Sequence, residues 1–372
     1  MTDAVTQALP RRRIFHTLNA LRFFAIFKIF TQHLPFDDYY WLRYVKFGGT
    51  YFFFMLSGFL ITYGIMEERL LTGKLNLKNF LARRALRIWP LFYLVVALCY
   101  IIPPILKYLE IRTTPSGYDA ELWVSLLFLE NYKMIITHSM PDVYALAGTW
   151  SICIQEHFYI IWGLVLLVLP TRHIPKLIIF SVGLGIGIRI CFVQNELDPA
   201  DIFSCLDIFA YGSIPAVLLI KHGPKLEQWV NNIPKIVQAL YVIVLVTTVT
   251  IFAHGVGLVM KPILFGLLFS FLLILTFPPN AYIKISERNV FSRMGKVAYG
   301  IFAYHLFIIV ACKKLCDYNG IPLNEPVSAI VFSIITFLLT VLCAFISYNY
   351  FEKPFLKLKK YFREEKTSSP RL

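Results

Sequence analysis

Residues 327–350 read VSAIVFSIITFLLTVLCAFISYNY, twenty-four positions without one charged side chain. Coiled as a helix at 1.5 Å per residue, such a run is about 36 Å long, enough for the ~30 Å of bilayer hydrocarbon. A helix satisfies its backbone hydrogen bonds within itself, which is what lipid demands of a spanning segment. Working outward, comparable runs recur at 18–36, 50–66, 89–107, 149–169, 176–193, 207–220, 235–253, 259–277 and 296–312. Composition agrees: 58% of the residues are hydrophobic and 16% charged, against about 25% charged in soluble domains. Mean hydropathy is +0.64. The reading is an all-α membrane protein, a bundle of about ten transmembrane helices. One domain covers 18–356, with a segment 1–17 before it and a tail 357–372 after it.

The net charge of +14 is distributed in short clusters between the apolar runs, at Arg11–Arg13, Lys74–Arg87, Lys221–Lys235 and Lys353–Lys360. That spacing follows the positive-inside rule rather than a nucleic-acid surface. It puts both termini in the cytoplasm and the acidic loops, with Asp37, Asp38, Asp119 and Asp142, outside. The basic start followed by an apolar run resembles a secretory signal. Arg22 and Lys28 interrupt that run, and it is read as an uncleaved first span. Segment 108–148 then lies outside, its amphipathic middle, Glu121–Met134, suiting an interfacial or re-entrant helix. Seven scattered cysteines show no metal-ligand spacing and are read as buried thiols, with no metal expected. An internal repeat of the transporter kind is not detected.

Ionisable groups within spanning helices are costly and by default mark function. Arg22 and His33 are eleven residues apart, within about 20° of one helix face and roughly 16 Å apart along it. A snorkelling arginine and a hydrogen-bonded structural histidine would look the same. Ser57-Gly58 is a small pair that lets another helix, or a ligand, approach closely. Arg84 and Arg87, at i and i+3 on an amphipathic turn before the third span, suit a phosphate group or anionic lipid headgroups. Glu156 and His157 lie in the fourth span, below Trp150, and Glu156 is placed to support His33 as a general base if the two helices meet. His305 sits in the ninth span after Tyr304. Arg189 and Asp207 are further buried charges, candidates for pairing with each other.

In this order, these residues resemble the acyltransferase-3 family of multi-pass membrane O-acyltransferases. Arg22 and His33 match its Arg-x10-His signature, Phe53 to Phe59 its FFxxSGF element and Arg84/Arg87 its RxxR element. Trp150 to Tyr159 is similar to its tryptophan block, Ala298 to His305 to a late SYxxYLxH block, and Glu352-Lys353-Pro354-Phe355 to its closing motif. Gln155 stands where the family commonly has the first of two glutamates. The resemblance implies transfer of an acyl group, acetyl in the first instance, from acyl-CoA to a hydroxyl of a cell-envelope carbohydrate. It implies His33 and Glu156 as catalytic, and Arg22, Ser57, Gly58, Arg84, Arg87, Trp150, Tyr304 and His305 as binding residues. Acyl-CoA is then a co-substrate rather than a bound cofactor, the glycan and membrane lipids are the partners, and a bacterial inner membrane is the location. Two other readings stay open: a glycan or metabolite transporter or flippase without acyl-transfer chemistry, and a non-catalytic relative, to which Gln155 lends support. Nothing in the sequence indicates an oligomeric state.

Overall fold

The computed structural model describes residues 15–35, 49–108, 117–252 and 257–362. Among the described residues the regular structure is helical throughout, with one isolated bridge between Tyr118 and Pro141. The helices are α1 (Thr17–Gln32), α2 (Gly49–Thr72), α3 (Leu77–Tyr108), α4 (Leu122–Leu126), α5 (Glu130–Thr137) and α6 (Tyr144–Ala147). There follow α7 (Trp150–Val168), α8 (Ile174–Gln194), α9 (Leu206–Asn232), α10 (Lys235–Thr247) and α11 (Met260–Leu275). The last are α12 (Val290–Lys296), α13 (Ala298–Tyr318), α14 (Pro326–Ser347) and α15 (Lys353–Leu358). Six helices among the described residues are long and apolar enough to cross a membrane, seven if the bent pair α9/α10 is one span. The chain is a multi-pass membrane protein.

Several predicted runs differ from the helices found. The arginine segment expected as a turn before a span is the opening of α3, which extends over 32 residues. Asn76 caps it, its side-chain oxygen accepting from the Asn79 N–H at 3.0 Å. α2 outlasts its apolar run by six residues and stops at Gly73, whose φ of +77° suits glycine and whose N–H donates to the Arg69 carbonyl at 2.9 Å. The run 207–220 belongs to a longer α9, broken at His222 beside Pro224 and bent by 94° from α10. Segment 117–148 folds into the three short helices α4, α5 and α6. The runs at 18–36 and 259–277 give α1 and α11 of 16 residues each, about 24 Å long.

α2 forms the centre. Gly58 on α2 faces the Phe209 backbone of α9, and Gly212 on α9 faces the Met55 backbone of α2, so a Cβ at either would strike a carbonyl. The small residue at 58 therefore serves helix packing. Around this contact Phe209 stacks on Phe158 with ring centroids 4.0 Å apart. Trp162 Nε1 donates to Thr62 Oγ1 at 2.9 Å, and Thr62 meets Ser213 at 2.8 Å. Arg189 and Asp207 form a buried pair, Nη1 donating to Oδ2 at 3.0 Å, with Nη2 also donating to the Ser204 carbonyl at 2.6 Å. A buried ion pair needs such extra hydrogen bonds to offset its desolvation.

Candidate functional site

α1, α2, α3, α7 and α13 enclose a cavity of about 320 Å³. Three guanidinium side chains line it: Arg22 from α1, Arg84 and Arg87 from α3. Arg84 and Arg87, three residues apart, share a helix face, whereas Arg83 turns away to pair with Glu68 at 2.6 Å and to donate to the Phe362 carbonyl at 2.7 Å. Arg84 is steered by the rings of Phe80 and Tyr159, whose centroids lie 5.7 and 5.9 Å from its guanidinium carbon. Arg22 donates to Asn19 Oδ1 at 2.8 Å. Among the described residues no carboxylate lines the cavity. Glu156 and Glu352 act on Arg84 and Arg87 from outside this lining, so the three guanidiniums face the cavity with no carboxylate beside them among its described lining residues, and guanidinium forks suit phosphate oxygens.

Polar groups of the opposite wall are hydroxyls and an amide. Ser57 Oγ and Tyr159 Oη lie 3.1 Å apart, and Tyr159 Oη donates to Gln155 Oε1 at 3.4 Å. Tyr299 Oη donates to the Ile88 carbonyl at 2.9 Å. Gln155 lines the cavity, but Glu156, one residue and about 100° further round α7, does not. Glu156 is 6% exposed, accepts from Trp89 Nε1 at 2.9 Å through Oε2, and its Oε1 has no hydrogen-bond partner among the described residues. The expected His33–Glu156 pair is therefore corrected: the carboxylate belongs to Trp89.

His33 instead meets His305. It caps the end of α1, half-buried, with its ring centroid 5.1 Å from that of His305 on α13, edge to face. The cause is helix adjacency, since α1 packs on α12 and α13, where Gly295 fits the Asn19 backbone. His305 Nδ1 lies 2.6 Å from the Phe302 carbonyl. A carbonyl only accepts, so Nδ1 carries a proton. His305 Nε2 is buried and without a hydrogen-bond partner among the described residues. The Phe302 ring lines the cavity and stands 5.6 Å from the His305 ring, while neither His33 nor His305 lines the cavity. The predicted residues thus divide: Arg22, Ser57, Arg84 and Arg87 line the cavity, and His33 and His305 meet each other outside its lining. Gly58, Trp150 and Tyr304 do not line it. Trp150 packs edge-on to Phe54 at 6.2 Å, and Tyr304 donates to Ser347 Oγ at 2.9 Å, tying α13 to α14.

The sequence matches the acyltransferase-domain family over residues 15–348. The chain belongs to the acyltransferase-3 family. It is 27% identical over 368 residues to the peptidoglycan O-acetyltransferase OatA of Listeria monocytogenes, covering 93% of this chain and 56% of that protein. It is 27% identical over 361 residues to the O-acetyltransferase OatA of Staphylococcus aureus, covering 91% of this chain and 57% of that protein. The chain spans a little over half the length of these curated relatives. No solved structure matches it. For this acyltransferase-3 chain, motif reading missed the cavity roles of Ser151, Gln155 and Tyr159. Their i, i+4, i+8 spacing on α7 is the signal, because it makes one continuous polar stripe.

Proposed function

We propose that this chain is the membrane-embedded part of an O-acyltransferase that moves an acetyl group from acyl-CoA to a hydroxyl of a cell-envelope glycan, peptidoglycan being the class named for the Listeria relative. The observation that carries the reading is a cavity lined by three guanidinium groups and, among the described residues, by no carboxylate, in a chain of an acyltransferase family. Arg84 and Arg87 hold the donor phosphates, with Arg22 completing the electropositive wall. His33 takes the proton of the acceptor hydroxyl, and the oxygen attacks the thioester carbonyl. The hydroxyls of Ser57 and Tyr159, 3.1 Å apart, donate to the oxyanion that forms. The C–S bond then breaks, and the imidazolium returns its proton to the departing thiolate. His305, edge to face against His33, positions that ring. Movement of Phe302 opens the path between imidazole and donor. We also place both termini in the cytoplasm, with about ten crossings that include the short α1 and α11.

Membranes carrying wild type or His33→Ala, supplied with radiolabelled acetyl-CoA, test the chemistry. Transfer to glycan falls about 10²–10⁴-fold in the variant, the usual contribution of a general base. Undiminished transfer, or passage of unmodified glycan without acyl-CoA, contradicts the reading and favours a transporter.

A further inference from the structure

A second concavity lies about 100° round α1 from the arginines. It is an apolar groove of about 420 Å³ between α1, the first turn of α2, α10 and α11. Its lining holds one charged side chain, Lys28, whose Nζ is buried and has no hydrogen-bond partner among the described residues. The other polar lining residue, Thr250, is occupied by its own helix, donating to the Val246 carbonyl at 2.7 Å. An ammonium at membrane depth normally faces the bundle interior and pairs with a carboxylate or carbonyl. Arg189 does so with Asp207, and Lys28 does not.

The groove has a defined length. The Ile285 N–H donates to Thr17 Oγ1 at 3.3 Å, which sets one end level with the start of α1. Gly49 packs against Ala25 and Ile29, on either side of Lys28, and sets the other. The α1 residues that line the groove run from Leu21 to Lys28, seven residues or about 10 Å, and Ile285 continues it to the level of Thr17. Two of the helices that form it, α1 and α11, have 16 residues each. At about 24 Å they are shorter than the bilayer core, which thins beside such helices while long basic side chains snorkel toward the headgroups. Lys28 stands four residues, about 6 Å, before the end of α1 at Gln32, and thinning brings the headgroups on that side nearer to it.

We propose that this groove binds an anionic phospholipid, with its phosphate paired to Lys28 and one acyl chain laid along α1 against Leu245, Val249 and Phe269. The site is separate from the arginine cavity and does not depend on the acyl-transfer reading. An apolar trough that holds one cation with no hydrogen-bond partner among the described residues is complementary to an amphipathic anion, and the bilayer supplies one.

The test uses the full chain in nanodiscs of equal dioleoyl phosphatidylglycerol and dioleoyl phosphatidylcholine, which share acyl chains and differ in headgroup charge. Native mass spectrometry of the released protein reads the retained lipid. Wild type retains phosphatidylglycerol over phosphatidylcholine by about fivefold. Lys28→Met, which removes only an unpaired charge, loses the preference, and Lys28→Arg keeps it. Val246→Trp, at a position 56% exposed in the groove, lowers retention of both lipids. Equal retention by wild type, a preference that survives Lys28→Met, or retention unaffected by Val246→Trp overturns the proposal.

Discussion

On α7 a rotation of about 100° separates Gln155 from Glu156, and that rotation decides which charge the donor would meet. The amide faces Arg22, Arg84 and Arg87, and the carboxylate faces Trp89. Gln155→Glu places an anion among the three guanidiniums. It raises the KM for acyl-CoA about tenfold or more, the scale of one charge-assisted hydrogen bond, with a smaller change in kcat. Glu156→Gln keeps an oxygen for the Trp89 indole and leaves transfer within about threefold, which steady-state assays on both variants check. A large kcat loss in Glu156→Gln would restore that carboxylate to the chemistry. That Arg22, Arg84 and Arg87 would gather in an interior cavity was legible because cations in an apolar chain stand out. The partner of His33 was not, since it depends on which helix lies beside α1, and sequence spacing carries no such information across 272 positions to His305.

At the scale of elements, the α2–α9 contact holds the bundle centre through two glycines set against opposing backbones. Gly58→Val drives a branched side chain into the Phe209 carbonyl, which cannot move aside as a flexible side chain can. The cost is at the upper end of, or beyond, the ~1–3 kcal/mol usual for overpacking. The detergent-solubilised variant accordingly shows a lower melting temperature and a lower folded yield. A melting temperature equal to wild type contradicts the packing role. Helix existence was legible from hydropathy, and helix ends were not. Asn76 and Glu68 extend α3 back to Leu77 through a polar, arginine-rich turn, the Asn76 N–H donating to Glu68 Oε1 at 3.0 Å while Arg83 closes on the same carboxylate. Hydropathy reads that turn as the end of a membrane run, whereas the cap makes it the start of a helix.

Over the whole molecule, the basic clusters and the acidic loops give a consistent sidedness. A cysteine introduced at either terminus is protected from an impermeant maleimide in intact cells and labelled after permeabilisation. Labelling of one terminus in intact cells would reverse an odd number of crossings and break the proposed topology. The number of crossings was the least legible property of the fold. Among the described residues six or seven helices reach full length, while α1 and α11 are short and α9/α10 bends by 94°. An apolar run in sequence does not distinguish these cases.

The account turns on the arginine cavity being where the acyl donor sits, and equilibrium binding of acetyl-CoA to the purified protein measures that directly. With Arg84→Ala or Arg87→Ala the affinity falls at least about tenfold, the loss expected when a charge-assisted phosphate contact is removed. An affinity unchanged in both variants would place the donor elsewhere and contradict the account.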